Sequence, residues 1–358
     1  MDEPDAAPAF TTRPSPESQV LMHTLRFGLR PILQRAHAGM PIGVLRAAIA
    51  GGSRLVPLDR RVRVEPLTAS AADSDDGIPP PPIGGEWVRP AASTTADPTT
   101  ADSATVDSAT ADLEIAGAAP DGAVLYLHGG GYVFCSPRTH RVLTSRLAID
   151  TGLPVLVPEY RLAPEHPFPA ALDDALAAYR WLLAQGIPAT RVVVAGDSAG
   201  GHLAATLAAE LCRTGRPAPA GVVLFSPWAD LTCELSLEWD RECRDPYIVP
   251  ALGRRFGMLY AGEHDFEDPR LALLRCTTTG LPPFLIQAGG ADALRSDAEH
   301  LAEVLTDIGV SCELQIWRGQ MHVFQVLHML IPEARAAMRE TARFVGSVIG
   351  AARTSAAA

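Results

Sequence analysis

The sequence contains no lysine. All 30 of its basic residues are arginine, set against 41 aspartates and glutamates, for a formal charge of −11. No stretch of the chain gathers those arginines into a phosphate-binding patch. A charge of this sign argues against nucleic acid and anionic membrane surfaces as partners. Long apolar runs are also missing: none approaches the ~20 residues of a membrane span, so no integral membrane segment is expected. The start, Met1-Asp-Glu-Pro-Asp5, lacks the basic residues and apolar stretch of a signal peptide. Cysteine is sparse and unpatterned. The six, at positions 135, 212, 233, 243, 276 and 312, form no CxxC pair and no zinc spacing. The expectation is a soluble, cytoplasmic protein with reduced thiols and no bound metal.

Against these absences stand length and apolar content. The 358 residues, 47% of them hydrophobic, suit one large α/β domain with appendages. Residues 1 to 15 are rich in proline and alanine and read as disordered. From Glu17 to about Ala36, the apolar set Leu21, Leu25, Phe27, Leu29, Ile32 and Leu33 suits an amphipathic helix bent at Pro31, and a second helix covers Pro41 to Ala50. Packing on the protein itself is favoured for these helices over a membrane surface. Residues 1–55 thus read as a disordered N-terminus and a helical segment, ahead of one large domain over 56–358. Within that domain residues 91–112 are almost wholly Ala, Ser, Thr and Asp, following a proline run at Pro79–Pro82. Asp97, Asp102, Asp107 and Asp112 recur every five residues, which matches neither helix nor strand. With little apolar side chain to bury, the run reads as a solvated insertion. Glu86-Trp-Val-Arg89 reads as an edge strand.

Strands are expected at Ala123–Leu127, Pro154–Val157, Arg191–Ala195, Gly221–Phe225, Pro283–Gln287 and Cys312–Trp317. Helices are expected at Arg138–Thr151, Ala170–Gln185, His202–Arg213, Asp297–Ile308 and Pro332–Ala352. Strands alternating with helices specify a mostly parallel sheet covered on both faces. Residues 229–270 interrupt the alternation and, with Trp239, Tyr247, Phe256, Met258 and Tyr260, read as a second cap segment or substrate wall.

Gly196-Asp-Ser-Ala-Gly200 joins a strand to a helix, the setting of a nucleophile elbow. The turn at Ser198 is so tight that larger residues at 196 and 200 would collide with it. A serine hydroxyl needs a base, a group to orient that base, and an oxyanion hole. In parallel sheets those partners belong at the carboxyl ends of strands. There the chain offers Asp292 after strand 283–287 and His322 after strand 312–317. Asp297 and His328 are the competing candidates, while His202 belongs to the helix behind the elbow. His128-Gly-Gly-Gly-Tyr132 follows an early strand and can aim N–H groups at a developing oxyanion. A phosphate cradle is the alternative, but neither GxGxxG nor GK[ST] is present.

Four blocks, His128–Tyr132, Tyr160-Arg-Leu-Ala-Pro-Glu-His-Pro-Phe-Pro-Ala170, Gly196–Gly201 and the Asp292 and His322 loops, together resemble the GDSAG branch of the hormone-sensitive-lipase-like family of α/β-hydrolase carboxylesterases. The resemblance covers roughly residues 120 to 345. It implies an α/β-hydrolase fold with an N-terminal helical cap and a triad of Ser198, His322 and Asp292. It also implies oxyanion donors at Gly130, Gly131 and Ala199, with architectural roles for His128 and Tyr160–Pro164. Its implied activity is cofactor-free hydrolysis of short- to medium-chain acyl esters, with a homodimer compatible. A deacetylase or amidase for one metabolite, and a catalytically silent receptor, are the alternatives. The family's Asp-Pro-Leu is Asp292-Ala-Leu here.

Overall fold

Strands β1 (Val62–Ala69), β2 (Ile83–Pro90), β3 (Ala123–Leu127), β4 (Val155–Pro158), β5 (Val192–Asp197), β6 (Gly221–Phe225), β7 (Phe284–Gly289) and β8 (Cys312–Trp317) lie in one sheet, in the order β1-β2-β4-β3-β5-β6-β7-β8. This computed structural model describes residues 10, 12–31, 41–54, 57–69, 82–91, 122–243 and 245–356. The low-complexity run from Ala92 onward, the prolines at 79–81, Ile32 and Leu33, and residues 1–9 lie outside the described residues.

Only β2 runs against the others; the remaining strands share one direction. Every residue of β3, β5 and β6 is buried, which explains their unbroken apolar character. Alternate side chains go to opposite faces. Leu125, Leu127, Val192 and Val194 pack with Leu172 of α4 (Ala170–Ala184), Leu203 of α5 (Ala199–Arg213) and Leu301 of α8 (Arg295–Asp307). Val124, Tyr126, Val193 and Ala195 pack with Leu143 of α3 (Arg141–Thr151) and Met338 and Phe344 of α9 (Pro332–Ala356). Two more helices, α6 (Glu234–Cys243) and α7 (Pro250–Ala261), fill the interval between β6 and β7.

The segment around Glu86–Arg89 is not an edge strand. β2 pairs on one side with β4 and on the other with β1, which occupies the edge instead. β1 has only a few apolar positions, and Pro66 interrupts them. An edge strand tolerates such a proline because one side of its ladder is unpaired.

The N-terminal region is more tightly held than its composition suggests. Phe10 meets the Trp317 ring edge-on at 6.0 Å. Ser15 caps α1 (Pro16–Thr24) by accepting from Ser18 N at 3.2 Å, and its own hydroxyl donates to Glu333 at 3.0 Å. Residues 12–15, expected to be disordered, are therefore tied to the start of α9. The helix continues through a π-turn at Leu25–Leu29. Leu21, Met22 and Leu25 pack with Trp317 and Phe324, whereas Phe27 is 66% exposed. Helix α2 (Ile42–Ser53) follows. Among the described residues no helix is long and apolar enough to cross a membrane.

Candidate active site

The carboxyl end of β5 runs directly into α5, and Ser198 sits at the junction with φ 53° and ψ −120°. A non-glycine residue held there costs on the order of 1–3 kcal/mol, stored by the surrounding structure. Ser198 N donates to Phe225 O at 2.9 Å, and its carbonyl accepts from His202 N and Trp228 N. The flanking glycines are required by contact. A Cβ on Gly196 would lie 2.2 Å from Gly200 O, and one on Gly200 would lie 2.0 Å from Leu127 O.

Two strands away, β7 ends in the loop carrying Asp292; its neighbour β8 ends in the loop carrying His322. His322 Nδ1 and Asp292 Oδ1 are 3.1 Å apart, and both side chains are buried. Leu294 N also donates to Asp292 Oδ1, at 2.8 Å. The His322 backbone is held from two sides: Tyr247 Oη donates to its carbonyl at 2.9 Å, and Val323 N donates to Ser226 Oγ at 3.0 Å. Burial disfavours the imidazolium of His322, but the Asp292 carboxylate and its hydrogen bond outweigh that cost. The histidine is raised above its ordinary value.

The competing residues lie elsewhere. Asp297 is buried in the first turn of α8, where it accepts Asp230 N at 2.8 Å. Burial pushes its carboxyl well up. His328 lines a different cavity. His202, on α5, bridges the Tyr132 hydroxyl and Leu271 O, and burial pushes it down to about 4.

The glycine loop after β3 lies alongside the elbow. Gly130 has φ +116° and Gly131 φ +58°, conformations that side-chain-bearing residues rarely adopt. Among the described residues, the N–H groups of Gly130, Gly131 and Ala199 donate to no protein acceptor. Asp197 fastens this loop to the elbow. Its buried carboxylate accepts Tyr126 Oη at 2.6 Å, Gly129 N at 3.0 Å and His140 Nε2 at 3.3 Å. Burial opposes the charge on Asp197, yet His140 and these donors hold it below the usual carboxylate range. His128, by contrast, is pushed down to about 3 by burial and by His140. Its ring stacks on Tyr160, whose hydroxyl donates to His128 O at 2.6 Å.

Several groups around the site carry no motif; of these, only Trp239 and Phe256 stand out in the sequence, as part of the expected cap segment over 229–270. Asp245 accepts Ala293 N at 3.0 Å, directly bracing the Asp292 loop. Burial and then the charge of Asp292 raise its carboxyl to about 6. Trp239 Nε1 donates to Asp292 O at 2.9 Å. Phe256 of α7 lies so close over Gly131 that a Cβ there would meet its ring at 2.8 Å. From the N-terminal side, Ser18 and Gln320 exchange hydrogen bonds just ahead of His322. Arg46 of α2 donates to Val133 O and Ala163 O and pairs with Glu165. Among the described residues, no group of three or more His, Cys, Asp or Glu is arranged to hold a metal ion.

A serine on a strained strand-to-helix turn, a buried His–Asp pair at the ends of β7 and β8, and a glycine loop with unpartnered N–H groups are the parts that hydrolase chemistry needs on an α/β scaffold. A family model for the α/β-hydrolase fold matches residues 124–326. The chain is 41% identical over 234 residues to an acetyl-hydrolase of Streptomyces hygroscopicus, covering 65% of this chain and 78% of that one. It is 38% identical over 228 residues to an ethyl acetate hydrolase of Pseudomonas putida, covering 62% and 70%. Among solved structures it is similar to an esterase of the bacterial hormone-sensitive lipase family. That match has a TM-score of 0.75 and 31% identity, and covers 94% of this chain and 100% of the other. The chain belongs to the α/β-hydrolase family, in its hormone-sensitive-lipase-like group.

Proposed function

We propose that the protein hydrolyses carboxylic esters of short to medium acyl chain through an acyl-enzyme on Ser198. The observation that carries the reading is the buried 3.1 Å contact between His322 and Asp292 on adjacent strand ends, in the sheet that also presents Ser198. His322 takes the Ser198 proton as Oγ adds to the ester carbonyl, and Asp292 holds the ring and stabilises the imidazolium. The oxyanion of the tetrahedral intermediate accepts from Gly130, Gly131 and Ala199. Collapse expels the alcohol, which leaves with the proton from His322. Water then adds to the acyl-enzyme by the same route and releases the acid.

The substrate is a small-molecule ester that reaches a site walled by α6, α7 and the N-terminal helices, which serve as the cap. Phe134 and Phe256, 5.5 Å apart edge-to-face, place aromatic surface beside the glycine loop. All six cysteines are free thiols, which supports a reducing, cytoplasmic setting. 4-Nitrophenyl esters of graded chain length test the activity. Hydrolysis is expected to peak at the short-chain end and to disappear in Ser198→Ala, and a phosphonate probe is expected to label Ser198. Turnover that survives the substitution overturns the mechanism.

A second reading, a deacetylase for one metabolite, draws on the relative named an acetyl-hydrolase. It uses the same chemistry. A rate on acetyl esters far above that on butyryl esters would favour it.

A further inference from the structure

Arginines that form no cluster along the sequence meet in the fold. Arg61 before β1, Arg138 in the turn ahead of α3, Arg141 and Arg146 within α3, and Arg335 on α9 line one cavity of about 460 Å³. Ser198, Asp292 and His322 do not line it. Three of these arginines are paired: Arg61 with Asp59 at 2.7 Å, Arg141 with Glu86 at 2.5 Å, and Arg146 with Asp150 at 2.7 Å. Among the described residues, Arg138 and Arg335 have no carboxylate partner; Arg335 gives one N–H to His328 O at 3.0 Å. The cavity therefore holds two guanidinium charges in excess, in a chain whose net charge is −11.

Two polar groups of the same wall are also left without partners. Ser145 Oγ and His328 Nδ1 are buried and make no hydrogen bond among the described residues, in side chains of residues only 3% and 9% exposed. Such orphaned groups are costly unless something satisfies them. Burial, and then the charge of Arg146, keeps His328 below the ordinary histidine value. The rest of the lining includes apolar side chains, with Leu58 42% and Met329 65% exposed.

We propose that this cavity binds a phosphate monoester. The planar fork of a guanidinium matches phosphate oxygens, and a dianion balances the two unpaired arginines. Ser145 and His328 hydrogen-bond the phosphate after side-chain rotation, and the organic part lies against Leu58 and Met329. The site is independent of the ester chemistry.

Calorimetric titration of the full chain with phenyl phosphate tests it, with phenol and inorganic phosphate as comparison ligands. One equivalent of phenyl phosphate is expected to bind, more tightly than inorganic phosphate, with no binding of phenol. Arg138→Ala and Arg335→Ala are each expected to weaken binding about tenfold, equivalent to ~1.4 kcal/mol, while 4-nitrophenyl butyrate hydrolysis is retained. Arg138 is exposed, so its variant carries the test alone if loss of the Arg335–His328 contact unfolds the chain. Absence of saturable binding, equal binding in Arg138→Ala, equal binding of phenol or of inorganic phosphate, or loss of binding once a phosphonate occupies Ser198 overturns the assignment.

Discussion

His322 is pulled in two directions. As the proposed base it must be neutral to accept a proton, yet Asp292 stabilises its charged form and raises it above the ordinary histidine value. The neutral form is populated only above the folded-state pKa, so kcat/KM is expected to fall as pH drops through a value above ~6.5. A pH–rate profile on 4-nitrophenyl butyrate checks this; a flat acid limb down to pH 5 would contradict it. Asp292→Asn removes the charge that holds the proton and leaves the ring in the wrong tautomer. A loss of about 10⁴-fold in kcat is expected, with the acid limb moved to lower pH. A merely structural role for Asp292 would not shift that limb. Asp297, only five positions on, gives its carboxylate to Asp230 N, so Asp297→Asn is expected to leave the profile in place.

The loop and helix ends around the site are joined by a few buried polar groups, and their failure would be felt as loss of an element. Asp197 holds β3, the glycine loop and His140 together through three donors. Asp197→Ala would leave Tyr126, His140 and Gly129 N without that acceptor in a buried setting. Breaking one side of a buried ion pair costs about 3–5 kcal/mol, a loss that urea unfolding would register as a lowered midpoint. Helix α1 acts on the His322 loop from outside. Ser18→Ala would deprive buried Gln320 of its partner, at about 1–3 kcal/mol. Faster proteolysis at the N-terminus and a reduced kcat are the expected readouts.

At the scale of the whole molecule, the sheet order bears on the low-complexity run. β2 ends and β3 begins at the same end of the sheet's strands, because Val88 and Val124 both stand opposite Val155 of the intervening β4. The connection must cross one strand, roughly 10 Å, which three or four extended residues can span. The chain between Pro90 and Ala123 is far longer than that. Deleting residues 97–112 is therefore expected to leave melting temperature and kcat unchanged, and a drop in either would give the segment a structural or catalytic part.

The sequence by itself determined the strands and helices from residue 123 onward, except α6 and α7, which it left as an interruption of the pattern. Unbroken apolar runs and helical periodicity are local signals, and a sheet buried on both faces demands them. It also marked the elbow and the glycine loop, because close backbone approach at Gly196 and Gly200 and positive φ at Gly130 leave few residue types admissible. Tertiary structure alone decided the rest. β1 has too few apolar positions to announce itself, and only its pairing makes β2 an interior strand. Position at the strand end favours Asp292 over Asp297 in the sequence, but that its carboxylate comes within 3.1 Å of His322 is a matter of loop path. Asp245, His140 and the gathered arginines carry no sequence pattern, since their neighbours lie tens or hundreds of residues away and meet only when the sheet and helices pack.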